Sequence, residues 1–364
     1  MQFGLFAMPS HPPERSLAEG QTWDLQVIRW GDELGYQEAW IGEHHIAPWE
    51  PHPAPDLLIA QALLQTKRIR LGTGGFLLPF HHPVQIADRA AMLDHLSGGR
   101  FNLGIAAGQV KGDLLTFNVD GASGQNREMV RESIEIIRRL WTEPGAMRYE
   151  GKFWIVNRPG QYDETHWPHL RPLQQPHPPI AMAGGSPNSE MHRMNGEFGF
   201  WPLSPEVGLP VLLNHWATVE EGAKRSGRTP DRRDWRIIRD VFVAETDAEA
   251  YRHSVDGLMG DTWRRYIFGL YKQHNLFSFL KHDPEMPDSD VTLDYCAEHL
   301  WLMGSPDTVV AKLRQIYEAS GGFGVVLAQW YDYADAPGPW HESMRLFAEE
   351  VMPRVADLTP SPLP

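Results

Sequence analysis

The 364-residue chain has one cysteine, Cys296, which excludes an internal disulfide framework and any CxxC metal or redox motif. It has no uninterrupted apolar run near the roughly 18 residues that a membrane helix needs. Residues 1–20 lack a basic stretch followed by a long apolar core, so no signal peptide is expected and the protein is read as soluble and cytoplasmic. Cations are in deficit: 33 Lys and Arg face 47 Asp and Glu, a formal net charge of −14. Nucleic acids and anionic membranes are therefore not expected partners, because both need clustered basic side chains. What the chain does have is apolar bulk. Its residues are 42% hydrophobic and 11% aromatic, ample for a sizeable core.

The first 142 residues alternate short apolar runs with helical patterns. MQFGLFA (1–7), EAWIG (38–42), RIRLGTGG (68–75) and RFNLGIAAG (100–108) read as strands, and 21–35, 56–67, 83–99 and 126–141 as helices. Four strand–helix units in succession imply a parallel sheet covered by helices. After a Pro- and aromatic-rich loop (143–178) the rhythm resumes with strands at 178–185, 198–204, 235–246 and 322–330. Helices at 187–195, 206–226, 247–259, 305–319 and 340–352 fall in or after the gaps. About eight such pairs close a (β/α)8 barrel. A doubly wound open sheet is the rival, but FAMPSHPP after the first strand is unlike a Gly-rich phosphate turn. Along the strands Phe3 and Leu5, Ile69 and Leu71, and Phe101 and Leu103 alternate with small or polar residues, so bulk is expected toward the helices. Residues 260–300 fit no strand–helix unit. They read either as a lid over the substrate or as an extra packed segment.

In a barrel, chemistry sits where the strands end at their C-termini. Those ends carry Phe6-Ala7-Met8, Glu43-His44-His45, Gly74-Gly75, Ala106-Ala107-Gly108, Gly184-Gly185-Ser186 and Gln329. His44 and His45 point to opposite faces and lack a third ligand at helical spacing, so a shared metal is disfavoured. His44, in step with Trp40 and Gly42, is the candidate acid–base group, because imidazole titrates near neutrality. Glu43 and His45 are expected to support it. In MAGGSPNSEMHRM (182–194), Ser186 stands where an N-cap belongs and Pro187 at the first helical position. The N–H groups of Gly185 and Ser186, with the Ser186 and Ser189 hydroxyls, form either an anion cradle or a plain helix cap. Gly74-Gly75 and Ala106-Ala107 leave bare backbone nearby, which suits a planar ring with a phosphate tail. The fourteen tryptophans either wall a substrate pocket or pack the helix–sheet layers.

With FGLF, GEHH…WE, LGTGGFLLPFHHPV, LDHLSGGRFNLGIAAG, PIAMAGGSPNS, GSPDTVVAKL, GGFGVVLAQW and SMRLFAEEVMP in order along nearly the whole chain, the sequence resembles the bacterial luciferase-like, flavin-dependent monooxygenases. The terpene-oxygenating branch, limonene and diketocamphane monooxygenases, is the most similar. The resemblance implies a (β/α)8 barrel that binds FMN as FMNH2, received from a separate NAD(P)H:flavin reductase, and that works as a homodimer. It implies reaction with O2 to a flavin C4a-hydroperoxide and insertion of one oxygen into a small hydrophobic substrate. His44 matches the catalytic histidine. Phe6, Gly74, Gly75, Ala106, Gly184, Gly185, Ser186 and Ser189 match cofactor-binding positions. Gly74-Gly75 falls where the family has a non-proline cis peptide under the flavin, and Gly185, Ser186 and Ser189 match the phosphate turn. Where luciferases proper carry a reactive cysteine and a phosphate-binding arginine, this chain has Ala106 and Ala107. Light emission is thus not implied, and phosphate binding rests on the strand-five turn or an arginine elsewhere. The alternatives are F420-dependent hydride transfer, from a sister branch, and a non-catalytic flavin-binding protein.

Overall fold

A computed structural model describes residues 1–8 and 10–360. Eight parallel strands form a ring: Gln2–Ala7, Glu38–Ile41, Arg70–Thr73, Phe101–Ala106, Ile180–Ala183, Trp201–Ser204, Arg236–Val243 and Val325–Gln329. Each pairs with its successor, and the eighth returns to the first with Phe3 opposite Val326 and Leu5 opposite Ala328. Helices fill the crossovers, as parallel pairing demands. This is the (β/α)8 barrel that the alternation of strand and helix implied.

Local signals fix the helices. The first, Leu17–Leu34, opens with a reciprocal cap between Ser16 and Glu19 and stops at Gly35, whose φ of 86° suits glycine. It begins at Leu17, a turn ahead of the amphipathic pattern at 21–35. Pro83–Leu96 and Pro306–Ser320 each place proline at the first helical turn, where its missing N–H costs nothing.

The strands divide their faces nearly as expected. Phe3, Leu5, Leu71, Phe101, Leu103 and Val326 enter the core under the helices. A second cluster fills the barrel itself, made of Phe6, Trp40, Ala181, Leu203, Ile238, Val325 and Leu327. The interior is therefore bulkier than the alternation suggested, and Trp40 is why its neighbours are small. A Cβ on Gly72 would stand 2.5 Å from the Trp40 ring. At the N-terminal end the interior is ionic: Arg236 meets Glu38 at 3.1 Å and lies over Trp201, and Arg70 bonds Asn102 at 2.9 Å. That end of a barrel serves stability rather than chemistry.

Two elements depart from the sequence reading. A hairpin, Met147–Glu150 with Ile155–Arg158, lies inside the stretch read as loop. A short strand, Leu302–Gly304, pairs with the end of the seventh strand, Val241 opposite Leu302. Residues 260–300 are packed onto the barrel: Trp263, Leu280, Cys296 and, just beyond, Trp301 are buried, while most of 282–290 is exposed. Among the described residues, no helix is long and apolar enough to cross a membrane.

Candidate active site

The chain leaves the second strand at Gly42, whose N–H still bonds the Ala7 carbonyl at 2.7 Å. It then closes a loop in which the His44 N–H meets the His52 carbonyl at 3.0 Å. Both ring nitrogens of His44 face carboxylates, Nδ1 at 3.0 Å from Asp113 and Nε2 at 3.2 Å from Glu50. Asp113 is buried on the short helix Lys111–Thr116, and its other oxygen accepts the N–H groups of His45 (3.2 Å) and Ile46 (2.9 Å). One side chain therefore orients both the imidazole and its backbone. Burial works to lower the pKa of His44, but Glu50 and Asp113 outweigh it and hold the pKa above the ordinary 6.5. Asp113 itself, though buried, is held below the usual carboxylate range by His44 and the two N–H donors.

Glu43 and His45 do not support the His44 ring, contrary to expectation. Glu43 turns to the other side of the chain, where one of its oxygens lies 2.8 Å from both His45 Nε2 and His81 Nε2 and the other accepts the Leu77 N–H at 3.1 Å. His45 packs edge-on against Phe117 and Phe80. The opposite facing of successive residues separates the two histidines. Among the described residues no group of three or more His, Cys, Asp or Glu is placed to hold a metal ion.

Around the upper rim, the strand ends are small: Gly42, Gly74, Gly75, Ala106, Ala107, Ala183 and Gly184. Gly75 is enforced by close approach, since a Cβ there would stand 2.5 Å from the Gly104 and Ile105 backbone. The Phe6 ring lies against Gly74, 2.9 Å from where its Cβ would be. The cis peptide expected at Gly74-Gly75 is not there. Among the described residues the cis bond is Gln175–Pro176, and the glycine pair is used for strand contact instead.

The fifth-strand turn also differs in detail. The helix is Glu190–Phe198 and its N-cap is Ser189, so Ser186 does not cap it. Asn188, at φ 54° with its N–H on Asn214, turns the chain before the helix can start. Ser189 is buried over Gly184, where a Cβ would stand 2.3 Å from the Ser189 hydroxyl. Ser186 is half-buried beside them, so Gly184, Gly185, Ser186 and Ser189 do converge. Below the turn, His192 bonds the Gly184 carbonyl at 2.8 Å and packs at a tilt against His215, ring centroids 4.4 Å apart. Burial lowers the pKa of both, that of His215 to about 4, so neither brings charge at neutral pH. Arg131 and Arg193, nearest along the helices, are engaged by Glu190, Glu197 and Glu221. An anion placed at this turn would therefore meet backbone N–H groups and hydroxyls rather than a free arginine. A separate cavity of about 380 Å³, lined by Arg127, Arg131, Lys152 and Phe153 among others, includes none of the strand ends.

A family model described as luciferase-like monooxygenase matches residues 1–322. The chain belongs to the luciferase-like monooxygenase family. It is 33% identical over 367 residues to 2,5-diketocamphane 1,2-monooxygenase 1 of Pseudomonas putida, covering 98% of this chain and 99% of that protein. Limonene 1,2-monooxygenase of Rhodococcus erythropolis is 31% identical, over 99% of this chain and 88% of its own. Among solved structures, the oxygenating constituent of 3,6-diketocamphane monooxygenase of Pseudomonas putida superposes with a TM-score of 0.89 at 34% identity. The match covers 97% of this chain and 98% of that one. That protein is described as a type II Baeyer–Villiger monooxygenase in complex with FMN. The present chain is accordingly an enzyme, a flavin-dependent monooxygenase of this family.

Asp113 escaped the sequence reading. Asp113 lies 69 residues from His44 in a helix without a motif, and nothing local points to their contact. Glu50 stands in the GEHH…WE stretch that carried the resemblance, yet its partnership with His44 needed the loop to close.

Proposed function

We propose that this protein is the oxygenase of a two-component system, taking FMNH2 from a separate NAD(P)H:flavin reductase and inserting one oxygen atom from O2 into a small hydrophobic substrate. The observation that carries the reading is His44, clamped between Asp113 and Glu50 at a strand end beside a rim stripped of side chains. The residues present fit FMN: small strand ends for a planar ring, and a turn of N–H groups and hydroxyls at 184–189 for a phosphate. Reduced FMN, when bound, would supply the electrons that activate O2 at its C4a carbon.

The chain's own residues position and protonate. Phe6, Gly74, Gly75 and Ala106 shape the ring site, and Gly184, Gly185, Ser186 and Ser189 hold the phosphate end. His44, its pKa held above the ordinary value by Glu50 and Asp113, is the hydrogen-bond donor and proton source beside the reacting atoms. The segment 260–295 shields the mouth from water, which favours transfer to substrate over release of H2O2. The diketocamphane relatives make insertion beside the carbonyl of a cyclic ketone the first reaction to assay. A homodimer is supported by Leu57, Leu64, Met92 and Leu96, exposed on and beside the neighbouring helices Pro55–Leu63 and Pro83–Leu96. Sedimentation velocity tests it.

The reading is tested by anaerobic titration with FMNH2 and with reduced F420, followed by an O2 pulse under stopped-flow absorbance. FMNH2 should bind and react with O2, and F420 should do neither. Turnover with F420 and no O2 uptake would overturn the proposal.

A further inference from the structure

The segment that follows the seventh strand crosses the barrel mouth and touches both sides of it. Its helix Leu258–Thr262 runs into a wider π turn, Trp263–Ile267, a geometry that recurs at functional sites. On one side Trp263 donates its indole N–H to Asp240, inside the seventh strand, at 3.1 Å and to the hydroxyl of Tyr331, just past the eighth strand, at 3.0 Å. Tyr331 in turn donates to Asp240 at 2.6 Å. On the other side, three residues on, Tyr266 stacks flat on Trp49, with ring centroids 5.4 Å apart and planes 7° from parallel. The Arg265 guanidinium lies over the same indole at 4.9 Å and is tied to Glu14 at 2.8 Å. Trp49 immediately precedes Glu50, the buried carboxylate 3.2 Å from His44 Nε2, so the Tyr266 ring is stacked one residue away from that carboxylate. Burial first, and Glu50 second, push the Tyr266 phenol up, so it stays a donor at any working pH.

We propose that Tyr266 is a positioning residue for His44: its ring on Trp49 fixes the loop that carries Glu50, and its hydroxyl shares the Glu50 carboxylate with the imidazole. The segment over the mouth is thereby wired to the proton-carrying group beneath it. This rests on the reading of His44 as the proton-handling residue. The groups facing the imidazole are Glu50 from its own loop and Asp113 from helix Lys111–Thr116, with Glu43 acting only through its charge from the other side of the chain and Tyr266 through Glu50. The two halves of the tyrosine then pull in opposite directions. Removing only the hydroxyl leaves Glu50 undivided, so it holds the imidazolium more strongly. Removing the ring frees the loop, so Glu50 drifts away and His44 loses its largest favourable charge partner.

The experiment is an NMR titration of ring-labelled histidine in the flavin-free protein, with the His44 resonance assigned by its loss in His44→Gln. Tyr266→Phe should raise the His44 midpoint by about half a pH unit, and Tyr266→Ala should lower it by about one, the scale of one hydrogen bond to a charged group. The kcat/KM–pH profile of the FMNH2-loaded enzyme should move the same way. Glu50→Gln keeps both rings of the stack and should lower the midpoint at least as far as Tyr266→Ala, so the proposal stays testable if the alanine variant folds poorly. Midpoints unchanged in Tyr266→Phe, or shifted in the same direction by the phenylalanine and glutamine variants, overturn it. Because the titration needs neither flavin nor substrate, its failure is separate from failure of the proposed reaction.

Discussion

Asp113→Asn isolates the carboxylate that the sequence did not reveal. The amide keeps an oxygen for the His45 and Ile46 N–H groups, so the loop should hold. The Asp113 oxygen now 3.0 Å from His44 Nδ1 becomes an NH2 group, which needs an unprotonated nitrogen facing it. A hydrogen bond to a charged partner is worth about 1.5–3 kcal/mol. At about 1.4 kcal/mol per pH unit, its loss should drop the His44 midpoint by about 1–2 units, leaving Glu50 alone against the burial that favours the neutral ring. Product formation should fall roughly 10–100-fold at pH 7.5, with FMNH2 affinity nearly unchanged. Stability carries a second signature. A histidine whose pKa is raised on folding stabilises the fold below its unfolded value near 6.5 and gives that up as pH climbs through the folded value. The wild type should therefore lose melting temperature relative to Asp113→Asn as the pH rises above about 6.5. An Asp113→Asn protein with the wild-type midpoint and the wild-type pH–rate profile would refute the reasoning.

His44→Ala should leave FMNH2 binding largely intact and lower product formation by roughly 10²–10⁴-fold, measured by product chromatography with FMNH2 supplied in excess. Ser186→Asp should weaken FMN far more than riboflavin in fluorescence titrations, because a carboxylate in the turn repels the phosphate; equal weakening would place the phosphate elsewhere. Replacing the exposed run 282–290 by a Gly-Ser linker should raise H2O2 released per FMNH2 consumed while flavin affinity stays level. Unchanged coupling, read with a peroxidase assay, would leave that segment a packing element alone.

The barrel was legible because its eight strands are short apolar runs ending in glycine or alanine at the rim, each answered by an amphipathic helix. The interior was legible only in part. Trp40 sits inside because Gly72, opposite it in register, has no side chain, and the Phe6 ring finds room against Gly74 two strands away, contacts visible only once the strands are aligned. The hairpin at 147–158 hid because much of it is exposed and its pattern weak, and Leu302–Gly304 because three residues carry no periodicity. At the site, His44 could be chosen from its strand end. Asp113 could not, since it reaches His44 from a separate crossover, nor could Tyr266, which stacks on Trp49 from another. Ser186 was misread as a cap because nothing in SPNS shows that Asn188 takes a positive φ and delays the helix to Glu190.

The central claim is oxygen insertion driven by reduced FMN. Its most direct test is turnover of a cyclic ketone panel with FMNH2 under ¹⁸O2, read by mass spectrometry. The account predicts products heavier by one ¹⁸O atom, formed with FMNH2 and reduced at least a hundredfold in His44→Ala. Product without label, or substrate reduced or oxidised with no O2 consumed, would contradict it.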